Sequence, residues 1–260
     1  GWLGLPLAEM LQKNYEVKGS YRSRKTQQLL ENSGIEYYQI DLKDNQFDEE
    51  FFDCDVLVIA VPPSLRLQNA DVHLKQLQLV KEYLHEDTHV IYCNTTAVYG
   101  PGKDLVENQA NISSSFYEFE QVFTENPCTV LRLAGLVDHD RTIVSSLVTK
   151  NIAIDPREPV NLVHREDVIN IIAEVIDQEK WDQVYNVCAP EHSNKKDVYS
   201  HWAMLLGYDE LQFIEKEKPM LKTVTSAKIV EDLGYSFVYP NPVEFNLDSD
   251  EIINDDSLDF

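Results

Sequence analysis

Gly1 and Gly4, three apart in Gly1-Trp2-Leu3-Gly4-Leu5-Pro6-Leu7-Ala8, are spaced to cradle a phosphate. A dinucleotide-binding turn needs a strand, then G-x-G-x-x-G, then a helix whose N-terminus meets the pyrophosphate. Gly1 and Gly4 fit the second and third glycines, with Trp2 and Leu3 between them. The first strand and first glycine are then expected to be missing from this chain, upstream of residue 1. The same residues also suit an ordinary helix start with Pro6 in its first turn. They become informative only in the company of the segments downstream.

The next chemically distinct segment is a basic island. Arg22 stands 18 residues after Gly4, and Lys18, Arg22, Arg24 and Lys25 occur with no acid between Glu16 and Glu31. At this point of a dinucleotide fold an acid binds the ribose 2′-hydroxyl of NAD, whereas a base accommodates the 2′-phosphate of NADP. An arginine can grip that phosphate with two donors while stacking on adenine, so Arg22 and Arg24 favour NADP over NAD. Further on, Asp41-Leu42 offers an acceptor for the adenine amino group and an apolar side chain for its ring, or else a turn-capping Asp. Val61-Pro62-Pro63 closes another apolar run, where ligands sit outside carboxyl strand ends.

Alternating elements must position these groups. Strands are expected at 15–22, 35–40, 56–61, 90–93 and 128–133, and helices at 25–33, 70–85 and 113–125. Val56-Leu57-Val58-Ile59-Ala60-Val61 is apolar throughout, as in a parallel strand covered on both faces. This rhythm predicts an α/β, doubly wound parallel sheet of Rossmann type with right-handed crossovers. Beyond 136 come a strand at 160–163, a helix opening at an N-cap Asp167, a strand at 184–188, and helices at 194–206 and 223–233. The expected division is a core at 1–135, then 136–242 with the remaining strands and a small substrate-side lobe. From 243 to 260, seven acids and no base suggest a tail without fixed structure.

The 260 residues carry a net charge of −23, which repels nucleic acid and anionic membranes. No apolar run is long enough to span a bilayer. Cys54, Cys93, Cys128 and Cys188 are scattered, with no zinc spacing, and read as reduced thiols of a cytoplasmic protein.

Four later segments carry a resemblance. Cys93-Asn94-Thr95-Thr96-Ala97-Val98-Tyr99-Gly100 resembles the S-S-x-x-V-Y-G segment of extended short-chain dehydrogenase/reductases, the NAD(P)-dependent epimerase/dehydratase family. Leu131-Arg132-Leu133-Ala134-Gly135-Leu136 resembles its L-R strand and loop. Asn161-Leu162-Val163-His164-Arg165-Glu166-Asp167-Val168 resembles its N-x-[IV]-H-x-x-D-[VL] segment, and Val184-Tyr185-Asn186-Val187 its Y-N-[VI] strand. The resemblance covers about residues 1–242 and is strongest to an atypical branch of that family.

The resemblance puts Thr95 in the place of the catalytic Ser/Thr, and Arg141 where sugar-nucleotide epimerases bind a substrate phosphate. The family's Y-x-x-x-K is incomplete: Tyr117 has Gln121 four residues on. If Glu120 is matched to the family's downstream Glu instead, the two positions hold Ile112 and Phe116. Without the Lys charge a tyrosine is a poor base at neutral pH. Thr95 and Tyr117 are thus the catalytic candidates, and His164 and Asp167 read as packing and capping residues. Two functions are open. One is an NADP-dependent oxidoreductase or epimerase acting on a small polar substrate, possible as a homodimer. The other is a non-catalytic NADP(H)-binding sensor.

Overall fold

Polar and apolar residues sort into ten short strands and nine α-helices among the described residues of the computed structural model, which are 1–44, 46–61, 70–208 and 211–247. The strands are β1 (Lys18–Tyr21), β2 (Glu36–Gln39), β3 (Val56–Ile59), β4 (His89–Thr95), β5 (Gly102–Leu105), β6 (Cys128–Leu133), β7 (Gly135–Val137), β8 (Leu162–His164), β9 (Val184–Val187) and β10 (Lys222–Val224). The helices are α1 (Gly4–Leu11), α2 (Arg24–Asn32), α3 (Glu49–Phe52), α4 (Ala70–Glu82), α5 (Ser115–Glu120), α6 (Ile143–Thr149), α7 (Arg165–Asp177), α8 (Lys195–Leu205) and α9 (Ala227–Leu233). The expected α/β class with parallel pairing holds. No helix among the described residues is long and apolar enough to cross a membrane.

Among the described residues the strands fall into four separate groups. β1 pairs in parallel with β2 alone, and β3-β4-β6-β9 form a separate four-stranded sheet. No described strand hydrogen-bonds to both. β7-β8 and β10-β5 make two further parallel pairs.

The chain also divides differently from the linear partition at residue 135. One unit holds Gly1–Asn94, Ile112–Leu131 and Ile169–Val184, and the other holds Thr95–Asn111, Arg132–Val168 and the chain from Tyr185. The divisions fall inside β4, β6 and β9, so each of these strands carries the chain from the first unit to the second. A cut at one sequence position cannot describe such an alternation.

In the first unit α2 begins at Ser23, whose hydroxyl accepts the Thr26 N–H at 3.3 Å, and stops at Gly34 with φ +68°. That left-handed backbone is costly for any residue with a Cβ. Leu30, Ile35 and Ala8 are buried together, seating α1 and α2 on β1 and β2. A larger core gathers Phe52, Leu57, Ile59, Leu77, Tyr92 and Phe119 between α4, α5 and the β3-β4 strands. Such side chains each stabilise by about 1.5–3 kcal/mol when fully buried.

The second unit packs around Trp202, which is fully buried and donates its indole N–H to the Pro242 carbonyl at 3.0 Å. Phe245 and Leu247 are buried in the same core. The tail boundary at 243 is therefore too early: apolar residues among the acids keep the chain packed through Leu247, and 248–260 lie outside the described residues. The expected helix at 223–233 is likewise shorter. Its first residues instead form β10, and α9 starts at Ala227.

The N-cap role expected of Asp167 belongs to His164. α7 starts at Arg165, and His164 Nδ1 accepts the Glu166 N–H at 3.3 Å. Asp167 is fully buried within the first turn. Its carboxylate accepts the Tyr235 hydroxyl at 2.7 Å, the Val238 N–H at 2.7 Å and the Tyr239 N–H at 3.1 Å. It ties α7 to the segment after α9.

Two more carboxylates hold the loop that leads to β10. Asp155 accepts the Lys216 N–H at 2.7 Å, and Glu158 accepts the Met220 N–H at 3.0 Å. Burial alone would raise the Glu158 pKa. The Lys195 ammonium at 2.6 Å, the Met220 N–H and the Lys216 ammonium at 3.0 Å outweigh it and hold the carboxyl at about 2. A folded pKa below the unfolded value stabilises the protein above the unfolded pKa, and that stability is lost as pH falls through the folded one. Melting temperature is therefore expected to drop between pH 5 and pH 2, and Glu158→Gln should show a smaller drop. Equal drops in both proteins would remove Glu158 from this account.

Candidate functional site

The glycine turn and the basic island meet within the first unit. α1 opens directly after Leu3, and Leu5 donates its N–H to the Gly1 carbonyl at 3.0 Å. Pro6 fits in the first turn, where its missing N–H has no intrahelical partner anyway. A Cβ added at Gly1 or Gly4 would meet nothing within 4 Å, so packing does not require glycine at either place. Close approach of a ligand is a reason that remains. Leu3 is buried and Trp2 half-buried.

Arg22 follows the last residue of β1 and is exposed. Leu5, the neighbour of Gly4, and Tyr21, the neighbour of Arg22, pack against the same buried cluster of Ala8, Leu30 and Ile35. Arg24 is the first residue of α2 and exposed. β1 and β2 run in parallel with Tyr21 opposite Gln39, so Arg22 and Asp41 emerge at the same end of the pair. The Asp41 carboxylate accepts the Lys43 N–H at 3.1 Å, as a turn-capping Asp does. Leu42 packs against the apolar core rather than standing clear of it. Val61 is exposed just past β3, and Pro62 and Pro63 lie outside the described residues.

Tyr117 also belongs to the first unit. It is half-buried on α5, between Phe116 and Phe119 in sequence, and Gln121 starts the 3-10 turn after that helix. The same helix is anchored by Glu120. This buried carboxylate accepts the Asn94 amide at 2.6 Å, and the same amide donates to the Phe116 carbonyl at 2.8 Å. Ile112, in the alternative alignment the tyrosine position, is exposed.

Thr95 lies in the second unit, at the end of β4. Its Oγ1 accepts the Ala97 N–H at 3.1 Å and so caps the short 3-10 turn Thr96–Val98. Accepting there leaves the hydroxyl proton available to donate elsewhere. Tyr99, four residues on, is committed to a buried network. Its hydroxyl donates to Asn186 Oδ1 at 2.6 Å and accepts from Arg132 Nη1 at 2.7 Å. Arg132 also donates to the Glu107 carbonyl at 2.7 Å, and Asn186 donates to the Leu105 and Thr225 carbonyls. The L-R and Y-N motifs thus supply a structural network beneath the Thr95 turn. Each partner is identifiable in sequence, but their meeting is not.

His164 and Asp167 are taken up by capping and anchoring. The His164 ring also stacks on Tyr239 at 3.8 Å between centroids, and burial, the largest influence, lowers its pKa. Arg141 is half-buried in a tight turn closed by paired backbone bonds to Asp138. Asp138, His139 and Asp140 bring potential ligand atoms within 4.8 Å of one another, but Asp138 already pairs with Arg165 at 2.5 Å and with His139 at 2.6 Å. Of the thiols, Cys93 and Cys188 are buried and pushed up to about 12, while Cys54 and Cys128 are half-buried.

Protein YeeZ of Escherichia coli K12 is 31% identical over 266 residues, covering 95% of this chain and 97% of that protein. The chain belongs to the YeeZ family. No model of a known protein family matches it. The YeeZ-like chain has the fold of the NAD-dependent epimerases and dehydratases, as its motifs suggested. A functionally unknown conserved protein from Silicibacter pomeroyi superposes with a TM-score of 0.70 at 24% identity, over 94% of this chain and 93% of that one. The dTDP-glucose 4,6-dehydratase of Bacillus anthracis, solved with NAD, gives 0.72 at 14% over 94% and 91%. The UDP-glucuronic acid 4-epimerase of Bacillus cereus, solved with UDP-glucuronic acid and NAD, gives 0.70 at 17% over 92% and 91%.

Proposed function

We propose that this chain is an NADP-dependent oxidoreductase or epimerase-like protein acting on a small polar substrate. The observation that carries the reading is the open glycine turn together with Arg22, whose neighbour Tyr21 packs on the same cluster as Leu5 of the turn's helix. In a chain of net charge −23, a base at this point after the glycine turn supports a 2′-phosphate partner, and so NADP. The backbone from Gly1 through Gly4 would hold the pyrophosphate, and Arg22 with Arg24 the 2′-phosphate. Asp41 and Leu42 would meet the adenine, and Val61, Pro62 and Pro63 the ligand edge beyond β3. When bound, the cofactor supplies hydride exchange at its nicotinamide C4. Thr95 polarises the substrate oxygen through a hydrogen bond from its hydroxyl, since Oγ1 already accepts from Ala97. Tyr117 or a bound water is the second hydrogen-bond donor of this reading.

The ligands are small molecules in this reading, because the negative surface disfavours nucleic acid and anionic membranes. Its setting is the reducing cytoplasm, and two copies pair as a homodimer. Neutral Gln121, four residues after Tyr117, favours a second reading as a non-catalytic NADP(H) sensor.

Absorbance of NADPH mixed with the protein and a panel of carbonyl compounds separates the two. Turnover that falls about 100-fold or more in Thr95→Ala supports the first reading. Tight NADPH binding with no turnover on any compound supports the second.

A further inference from the structure

The second unit holds a lysine that no acid among the described residues pairs with, at the Thr95 turn. Lys222, the first residue of β10, donates from Nζ to the Thr96 carbonyl at 3.2 Å. Its backbone is fixed from several sides. Asn161 donates its amide to the Lys222 carbonyl at 2.8 Å and accepts the Val224 N–H at 2.9 Å. Gly102 donates its N–H to the Leu221 carbonyl at 3.1 Å, and Glu158 holds Met220 two residues upstream. The ammonium is thus delivered to the residue after Thr95 by a braced strand, not by a free surface side chain.

Lys222 is half-buried, and no carboxylate among the described residues forms an ion pair with it. The titratable neighbour that influences it is Cys188, a buried thiol held neutral up to about 12. An ammonium carries three donors, and the Thr96 carbonyl takes one. A partly desolvated cation without a counterion is unfavourable, and an anionic ligand relieves it. That no carboxylate among the described residues pairs with this lysine points to a ligand that brings one.

We propose that Lys222 binds a carboxylate of the substrate beside Thr95. A single ammonium hydrogen-bonded at the turn matches one negative charge. A phosphate dianion would leave excess negative charge in a partly buried place. Burial lowers the Lys222 pKa, as expected for a cation awaiting its partner. The assignment rests on Thr95 as the substrate-oxygen residue of the proposed function, and it adds the substrate class: a hydroxy or oxo acid.

The test needs neither cofactor nor turnover. Lysines are labelled by reductive methylation with 13C-formaldehyde, and Lys222→Arg identifies the Lys222 resonance by its loss. Acetate is then titrated against chloride at equal ionic strength. The expected result is a saturable acetate shift at Lys222 exceeding that of the exposed lysines, with its pKa raised by about one unit, a tenfold change in proton affinity. A Lys222 resonance that moves no more than the exposed ones would reduce the residue to a staple of the Thr96 turn and overturn the proposal. A response to inorganic phosphate but not acetate would overturn the carboxylate assignment. Because NADPH is absent, an acetate response in a protein that fails to bind NADPH would leave this inference standing and remove only the cofactor reading.

Discussion

Arg22→Ala is expected to weaken NADPH binding by about 10- to 100-fold, the worth of charge-assisted hydrogen bonds to a phosphate. NADH binding should change little, because NADH lacks the 2′-phosphate. The difference arises from position. Arg22 leaves β1 at the end where β2 delivers Asp41. Arg22→Lys keeps the charge but loses the two-donor fork and the flat stacking surface, so it should recover only part of the affinity. Fluorescence titration of both cofactors against the three proteins measures the effect. Equal affinities for NADPH and NADH, unchanged in Arg22→Ala, would show that the basic island is surface charge alone.

Asp167→Ala should cost about 3–5 kcal/mol of stability, since three donors lose their acceptor together. For a protein of this size that corresponds to roughly 6–20 °C in melting temperature. The Tyr235 hydroxyl and the Val238 and Tyr239 amides converge on this carboxylate, and the residue is fully buried. Asp167→Asn keeps one acceptor oxygen but turns a second toward donors as an amide, so an intermediate loss is expected. A variant that melts like the original protein yet has lost turnover would instead make Asp167 a participant in the chemistry.

The two residues differ in what sequence can offer. Arg22 stands out as a candidate because spacing from a glycine turn and a gap in acids are local features. The helix stops were legible for the same reason: Gly34, Gly207 and Gly234 all take positive φ, at 68°, 70° and 63°. β6 falls at 128–133 as its apolar run indicates. β5, β7 and β10 were not legible. Each has three or four residues, too few to show a period-2 pattern, and Lys222-Thr223-Val224 becomes a strand only against Gly102–Leu105 and the Asn161 side chain.

Residue order was enough to indicate an α/β chain with parallel strands and a glycine turn opening a helix. Those properties follow from backbone propensities and hydrophobic spacing, which act over a few residues. The tertiary structure decided how the strands divide into sheets and which polar side chains are already spent. It turned Asp167 from a helix cap into an anchor for residues about 70 positions away, committed Tyr99 to Arg132 and Asn186, and brought Lys222 to Thr96 across 126 positions. The reason is physical. A buried donor or acceptor must find a partner, and which partner it finds depends on the packing of distant segments, which local spacing does not encode.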